Sequence, residues 1–71
     1  EDWDTAIKFF KKAKSDNWNE VPGRIELLLG ITLYEIENFN ESLSYLNEAL
    51  QYEKSKSAAE GWISYIKEIN S

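Results

Sequence analysis

The chain has 71 residues, a net charge of −5, and neither Cys nor His. The usual zinc, haem and iron–sulfur ligand sets are therefore absent, so we expect no metal and no cofactor. The negative charge disfavours non-specific binding to nucleic acid or to anionic membranes. An apolar fraction of 42%, with three Trp, four Tyr and three Phe, predicts one small packed domain across residues 1–71.

Apolar residues at helical spacing predict four helices, and no segment alternates with the period of a strand. The predicted helices span about 3–14, 21–36, 39–52 and 57–69. Asp2 is the expected N-cap of the first helix. Capping boxes are expected at Asn38–Glu41 and Ser57–Glu60, where the third and fourth helices begin. Short connections favour antiparallel neighbours, so the predicted class is all-α with four antiparallel helices.

Two stretches 36 residues apart carry the same order of small and large side chains. The first is Asp2, Trp3, Ala6, Ile7, Phe10, Ala13, and the second is Asn38, Phe39, Ser42, Leu43, Leu46, Ala49. In each stretch these residues fall on one helix face. A period of this length is typical of stacked helical repeats, in which no unit buries its apolar face alone.

Gly30 lies inside the second predicted helix, where glycine costs about 1 kcal/mol relative to Ala. A glycine kept there predicts a close helix–helix crossing. The core is expected to centre on Phe10, Leu29, Leu33, Phe39, Leu46 and Trp62. In the last helix we expect Trp62, Ile66 and Ile69 to point inward, with Lys67 and Glu68 facing water.

The order of small and large side chains along the chain resembles that of the tetratricopeptide repeat, a helix–turn–helix unit of about 34 residues. With the repeat beginning at Gly23, the matching residues are Leu29–Gly30, Phe39, Ser42, Leu46 and Ala49, and Leu33 stands where Tyr is usual. The resemblance implies a short right-handed solenoid made of half a repeat, one full repeat and a C-terminal capping helix. The chain departs from the family at Glu26, where Trp is frequent, and at Lys54, where Pro is frequent. The longer period implies two extra residues between Ser15 and Pro22.

Tetratricopeptide repeats bind segments of other proteins, usually in a concave groove lined by the first helix of each repeat. The groove positions implied here are Arg24, Leu27, Ile31, Tyr34 and Glu35. The alternative is that the Leu27–Ile31–Tyr34 stripe is buried against a preceding part of a longer protein. Some family members clamp a C-terminal carboxylate with Lys and Asn. Leu27 and Ile31 occupy those places here and cannot donate the hydrogen bonds required.

We therefore expect a non-catalytic scaffold for protein–protein interaction, and no enzyme. Glu35 and Glu37 come nearest to a catalytic carboxylate pair, but helix positions two apart point in different directions. Two alternatives stay open: a purely structural C-terminal cap of a longer repeat array, and a docking module of a larger enzyme or sensor. The partner would be a protein or peptide of unknown identity, and the compartment cannot be read from the sequence.

Charge and chain ends give three further expectations. The lysines Lys8, Lys11, Lys12 and Lys14 are expected to form a solvated helix face rather than a phosphate-binding patch. Residues 20–48 hold six Glu and one Arg, which favours a hydrated acidic surface over one that attracts a basic partner. The chain starts without Met in a predicted helix turn, so we expect a C-terminal fragment of a larger repeat protein. A cut end would expose Phe9, Leu27, Ile31 and Tyr34, which predicts self-association as a symmetric dimer.

Overall fold

A computed structural model describes residues 2–17 and 21–69 of the chain. These residues form four α-helices and no β-strand, which confirms the all-α class. The helices are α1 (Trp3–Ser15), α2 (Arg24–Glu35), α3 (Phe39–Ala49) and α4 (Glu53–Ile69). The two-residue insertion expected between Ser15 and Pro22 falls partly outside the described residues. None of these four helices is long and apolar enough to cross a membrane.

Helix α1 begins as its sequence predicts. The Thr5 backbone N–H donates a hydrogen bond of 3.1 Å to Oδ1 of Asp2, which is the N-cap. The pKa of Asp2 is lowered, first by the hydrogen bond from the Thr5 hydroxyl and then by the one from the Thr5 backbone. Both bonds favour the ionised carboxylate, which also interacts well with the positive end of the helix dipole.

Helix α2 begins at Arg24 rather than near residue 21, so Pro22 precedes the helix instead of lying in its first turn. Gly23 is the N-cap and has a φ of 84°, in the left-handed region that glycine adopts without strain. A Cβ placed on Gly23 would lie 2.7 Å from Cβ of Tyr52. The close approach of Tyr52, together with the backbone angle, fixes the start of α2.

A Schellman motif ends α2 and leads directly into α3. The Asn38 N–H donates to the Leu33 carbonyl and the Glu37 N–H to the Tyr34 carbonyl, both at 2.9 Å. Glu37 occupies the left-handed position of this motif, with a φ of 63°. Asn38 is the N-cap of α3, but its side chain donates to the Glu41 carboxylate instead of accepting from the backbone. The predicted capping box is therefore incomplete.

The boundary between α3 and α4 lies earlier than the sequence predicts. α3 ends at Ala49 and α4 begins at Glu53, so Ser57 is an exposed residue inside α4 and its predicted capping box is wrong. The cause is a long-range contact. Oγ of Ser55, a residue 3% exposed, donates to the Pro22 carbonyl at 3.2 Å. This bond ties the first turn of α4 to the segment before α2.

Helix α2 contributes to two apolar cores. The first core consists of Ile7, Ala13, Ile25, Leu29 and Leu33, with Phe10 and Tyr45 packed against it. The second core consists of Leu46, Ile63 and Ile66, with Leu27, Tyr34, Phe39, Leu43, Leu50 and Trp62 packed against it. α1 packs on α2, and α4 packs on α3 and α2. Because α2 is covered on two sides, it is apolar around most of its circumference.

A close helix crossing lies at Gly30, as predicted. A Cβ placed there would lie 2.5 Å from Cγ and Cδ2 of Leu46. The Ser42 hydroxyl donates to the Gly30 carbonyl at 2.5 Å. Ser42, Leu46 and Ala49 have no exposed surface. The small side chains on α3 and the missing side chain on α2 together let the two helices approach.

The core predictions are confirmed in part. Leu29, Leu33 and Leu46 are buried, whereas Phe10, Phe39 and Trp62 are half-buried at the edges of the cores. On α4, Ile66 has no exposed surface, but Ile69 is 49% exposed, so its predicted inward position is wrong. With 17 residues, α4 is longer than the 12 of α2. Since the first turn of α4 is tied to the start of α2, the last turn of α4 extends beyond its neighbours.

A three-helix ion pair joins α1, α2 and α3. Nζ of Lys14 lies 2.8 Å from the Glu26 carboxylate and 3.0 Å from that of Glu48. Glu26 is only 3% exposed. The hydrogen bond to Glu26 is the main cause of the raised pKa of Lys14, and Glu48 adds to it against the opposing effect of desolvation. The expectation of a fully solvated lysine face is therefore wrong for Lys14, and Lys11 also pairs with Glu41.

Candidate functional site

An open concavity lies between the C-terminal half of α2 and the middle of α4. Its volume is about 540 Å³. The lining residues are Tyr34 and Glu35 from α2 and Ala58, Gly61, Trp62 and Tyr65 from α4. We call this surface the α2–α4 groove.

Three aromatic rings of the α2–α4 groove contact one another. The ring centroid of Tyr34 lies 5.3 Å from that of Trp62 and 5.8 Å from that of Tyr65. The Trp62 and Tyr65 centroids are 6.1 Å apart, with ring planes at 83°. Tilted and edge-to-face pairs at these distances are the favourable arrangement for aromatic side chains. Because the planes are inclined to one another, the cluster presents both ring edges and ring faces.

The Tyr34 and Tyr65 hydroxyls meet at the solvent side of this cluster. Tyr34 donates to the Tyr65 oxygen at 3.4 Å, a long hydrogen bond. This bond is the main cause of the raised pKa of Tyr34, to which desolvation and the negative charge of Glu35 add. The hydrogen bond therefore favours the protonated form of the Tyr34 hydroxyl, which is the donor of this pair. Tyr65 itself is 49% exposed.

Small residues of α4 form the floor of the α2–α4 groove. A Cβ placed on Gly61 would meet no atom within 4 Å, so the space above this glycine is open. Ala58 lies one turn before Gly61, and Tyr65 lies one turn after it, on the same side of the helix. No residue in the described part of the chain packs on this part of α4 in the way that Leu46 packs on Gly30. The backbone of α4 is accessible at this point.

The one charged residue among those that line the groove is Glu35. Elsewhere, the acidic side chains Glu26, Glu41 and Glu48 are paired with lysines of α1. Among residues 2–17 and 21–69, Glu35 takes part in no such ion pair. The groove therefore combines aromatic surface with an exposed negative charge that no lysine or arginine of the described chain neutralises.

The structure brings together two of the five residues predicted to line a groove. Tyr34 and Glu35 both line the concavity. Leu27 packs against the second core, and Ile31 is half-buried. Arg24 is exposed in the first turn of α2, away from the lining residues. Part of the predicted stripe is thus covered by α4 of the same chain.

The packing of α4 also changes which apolar residues of the predicted set are exposed. Leu27 and Tyr34 are half-buried and pack against the second core, so α4 covers part of both side chains. Phe9 is 56% exposed and lies beside Phe10, with ring centroids 5.6 Å apart. Self-association stays a prediction, with Phe9 as the main exposed apolar residue of the set.

The four groove residues of α4 were missed as site residues by sequence reasoning. Trp62 was predicted to lie in the core, and Ala58, Gly61 and Tyr65 received no role. The available signal was Gly61, a second glycine inside a helix, which lies on one helix face with Ala58 and Tyr65. Gly61 differs from Gly30 because none of the four described helices packs over it, and the packing of helices cannot be read from local sequence.

The chemistry of the α2–α4 groove is that of recognition. Aromatic rings offer apolar contact and attract cations, and the tyrosine hydroxyls and the Glu35 carboxylate offer hydrogen bonds. In the described part of the chain, no group of three or more acidic side chains could hold a metal ion. Comparison with known proteins gives no further guide, because no family model, curated protein or solved structure matches the chain.

Proposed function

We propose that this chain is a non-catalytic protein-interaction module of the tetratricopeptide type that holds a partner segment in the α2–α4 groove. The observation that carries the proposal is the open aromatic concavity of about 540 Å³. Its α2 side is formed by Tyr34 and Glu35, two of the positions at which the resemblance implies partner contact. Grooves that bind peptides share this combination of apolar surface and a few polar groups.

The helix contacts support the repeat architecture within this proposal. Tetratricopeptide-like packing requires small residues where the two helices of a unit cross, and Gly30, Ser42 and Ala49 supply them. The connection from α2 to α3 has three residues, which favours antiparallel neighbours. We assign α2 and α3 to one repeat of a right-handed solenoid. In that arrangement α1 is the second helix of the preceding unit, and α4 follows as the capping helix.

A selection from a library of random peptides displayed on phage tests the proposed function. The matched pair of variants is Gly61→Leu and Ser64→Leu. A Cβ at position 61 meets no atom within 4 Å, so we expect the leucine side chain to extend into the groove. Ser64 is exposed on α4 and does not line the groove. Circular dichroism and urea unfolding confirm that both variants fold.

The expected result is a set of peptides that bind the unaltered chain and Ser64→Leu but lose binding to Gly61→Leu. Peptides that bind all three proteins equally would place the binding surface elsewhere and contradict the proposal. A failure to enrich any peptide above background would also contradict it, and would favour a structural capping role.

A further inference from the structure

The charge of the α2–α4 groove indicates what kind of segment it accepts. Three acidic side chains of α2 and α3 are paired with lysines of α1: Glu41 with Lys11, and Glu26 and Glu48 with Lys14. Glu35 has no such partner among the described residues, although it lies beside the three aromatic rings. Its charge is close enough to Tyr34 to raise the pKa of that hydroxyl. A positive charge placed in the groove would therefore interact with Glu35 directly.

The aromatic cluster adds a second attraction for the same kind of group. Trp and Tyr rings bind a cation that lies within about 6 Å of the ring centroid, and Trp binds best. Tyr34, Trp62 and Tyr65 lie within 6.1 Å of one another, so one cation above the cluster can contact more than one ring. Tyr65 is half-exposed, so this approach is open to solvent.

We infer that the α2–α4 groove binds an arginine side chain of a basic partner segment, stacked on the Tyr34–Trp62–Tyr65 cluster and hydrogen-bonded to Glu35. Arginine is favoured over lysine because its planar guanidinium stacks on a ring and donates two parallel hydrogen bonds to a carboxylate. Ala58 and Gly61 let the backbone of the segment approach α4. The inference rests on the proposed function and names the partner class of the same groove.

Titration of the full chain with a pair of blocked pentapeptides, followed by amide NMR, tests the inference. One peptide has a central arginine between alanines, and the other has citrulline, which keeps the shape and loses the charge. The Gly61 amide reports on the groove. Gly23 and Gly30, which are buried, serve as internal reference signals.

The arginine peptide should shift the Gly61 signal and bind about tenfold more tightly than the citrulline peptide. Glu35→Gln should remove most of this difference, and Tyr65→Ala should weaken the arginine peptide further. The matched control is Glu53→Gln, which removes an exposed carboxylate from the first turn of α4, outside the groove. Glu53→Gln should leave the difference in affinity between the arginine and citrulline peptides unchanged.

Equal binding of the two peptides, or an arginine preference that survives both Glu35→Gln and Tyr65→Ala, would overturn the inference. The phage selection separates this failure from failure of the proposed function. If the selected peptides lose binding to Gly61→Leu but contain neither arginine nor lysine, the groove is a binding site and the inference of a basic partner is refuted. An absence of groove-dependent peptides would refute both.

Discussion

Gly30 and Gly61 both lie inside helices, but the structure gives them opposite roles. A Cβ on Gly30 would lie 2.5 Å from Leu46, a side chain with no exposed surface, whereas a Cβ on Gly61 would meet no atom within 4 Å. Gly30→Ala should therefore destabilise the fold by about 1–3 kcal/mol through overpacking, despite the better helix propensity of Ala.

Gly61→Ala is the matched control and should stabilise the fold by up to about 1 kcal/mol. The free energy of unfolding in urea measures both changes. Equal effects of the two substitutions would show that Gly30 is not at a tight crossing.

Lys14 joins three helices through its ion pairs. Replacing it should therefore lower the free energy of unfolding more than replacing an exposed lysine does. Lys14→Met leaves the Glu26 carboxylate buried without its ammonium partner and should cost about 2–3 kcal/mol, since Lys14 is partly exposed and water screens some of the pair. The pKa of Lys14 is raised in the fold, so this contribution is fully present below the ordinary value of 10.5. It is lost only as the pH rises through the raised value.

Lys12→Met is the control for this prediction, because the Lys12–Asp16 pair is exposed and should contribute less than about 0.5 kcal/mol. Adding Glu26→Leu to Lys14→Met should recover most of the loss, since the buried carboxylate that Lys14 neutralises is then removed as well. Urea unfolding at neutral pH compares the variants. A cost for Lys14→Met no larger than that for Lys12→Met would contradict the three-helix ion pair.

At the scale of single elements, the turn between α2 and α3 contains a strained residue. Glu37 holds the left-handed position of a Schellman motif, where a side chain costs about 1 kcal/mol and glycine is usual. Glu37→Gly should therefore raise the free energy of unfolding by about 1 kcal/mol. Glu37→Ala removes the same carboxylate but keeps the Cβ, so it should give no comparable gain. If both variants were equally stabilised, charge rather than backbone strain would be the cause.

The buried part of α4 should contribute strongly to the free energy of unfolding, whereas its exposed last turn should contribute little. Ile66→Ala removes a fully buried side chain and should cost about 2–5 kcal/mol. Ile69→Ala removes a side chain that is 49% exposed and should change stability by less than about 1 kcal/mol. Thermal unfolding distinguishes the two. A cooperative transition left unshifted by Ile66→Ala would mean that α4 does not pack on α2 and α3.

A feature of a helix can be predicted from the sequence where it depends on residue type and local spacing, and not where it depends on tertiary contacts. The Asp2 cap and the Gly30 crossing were predictable because they depend on residue type and helical spacing. The start of α4 was not, because it is fixed by the Ser55 hydrogen bond to Pro22, 33 residues away along the chain. The Ser57 motif matched a capping box in a segment that tertiary contacts hold inside a helix.

At the scale of the whole molecule, the sequence predicted two of the six residues that line the candidate groove. Tyr34 and Glu35 followed from the repeat resemblance. The α4 half did not, because an exposed Gly61 becomes meaningful only once α4 is seen to lie beside α2. The burial of Leu27 against the second core has the same origin. Both the proposed function and the preference for arginine therefore depend on how α4 docks on α2.

The most direct test of this docking is a nuclear Overhauser measurement on the isotope-labelled chain. The ring centroid of Tyr34 lies 5.3 Å from that of Trp62 and 5.8 Å from that of Tyr65. We predict cross-peaks between ring protons of Tyr34 and those of both α4 residues. If Trp62 and Tyr65 instead show cross-peaks only within α4, the helix does not dock on α2, the groove does not exist, and the account is wrong.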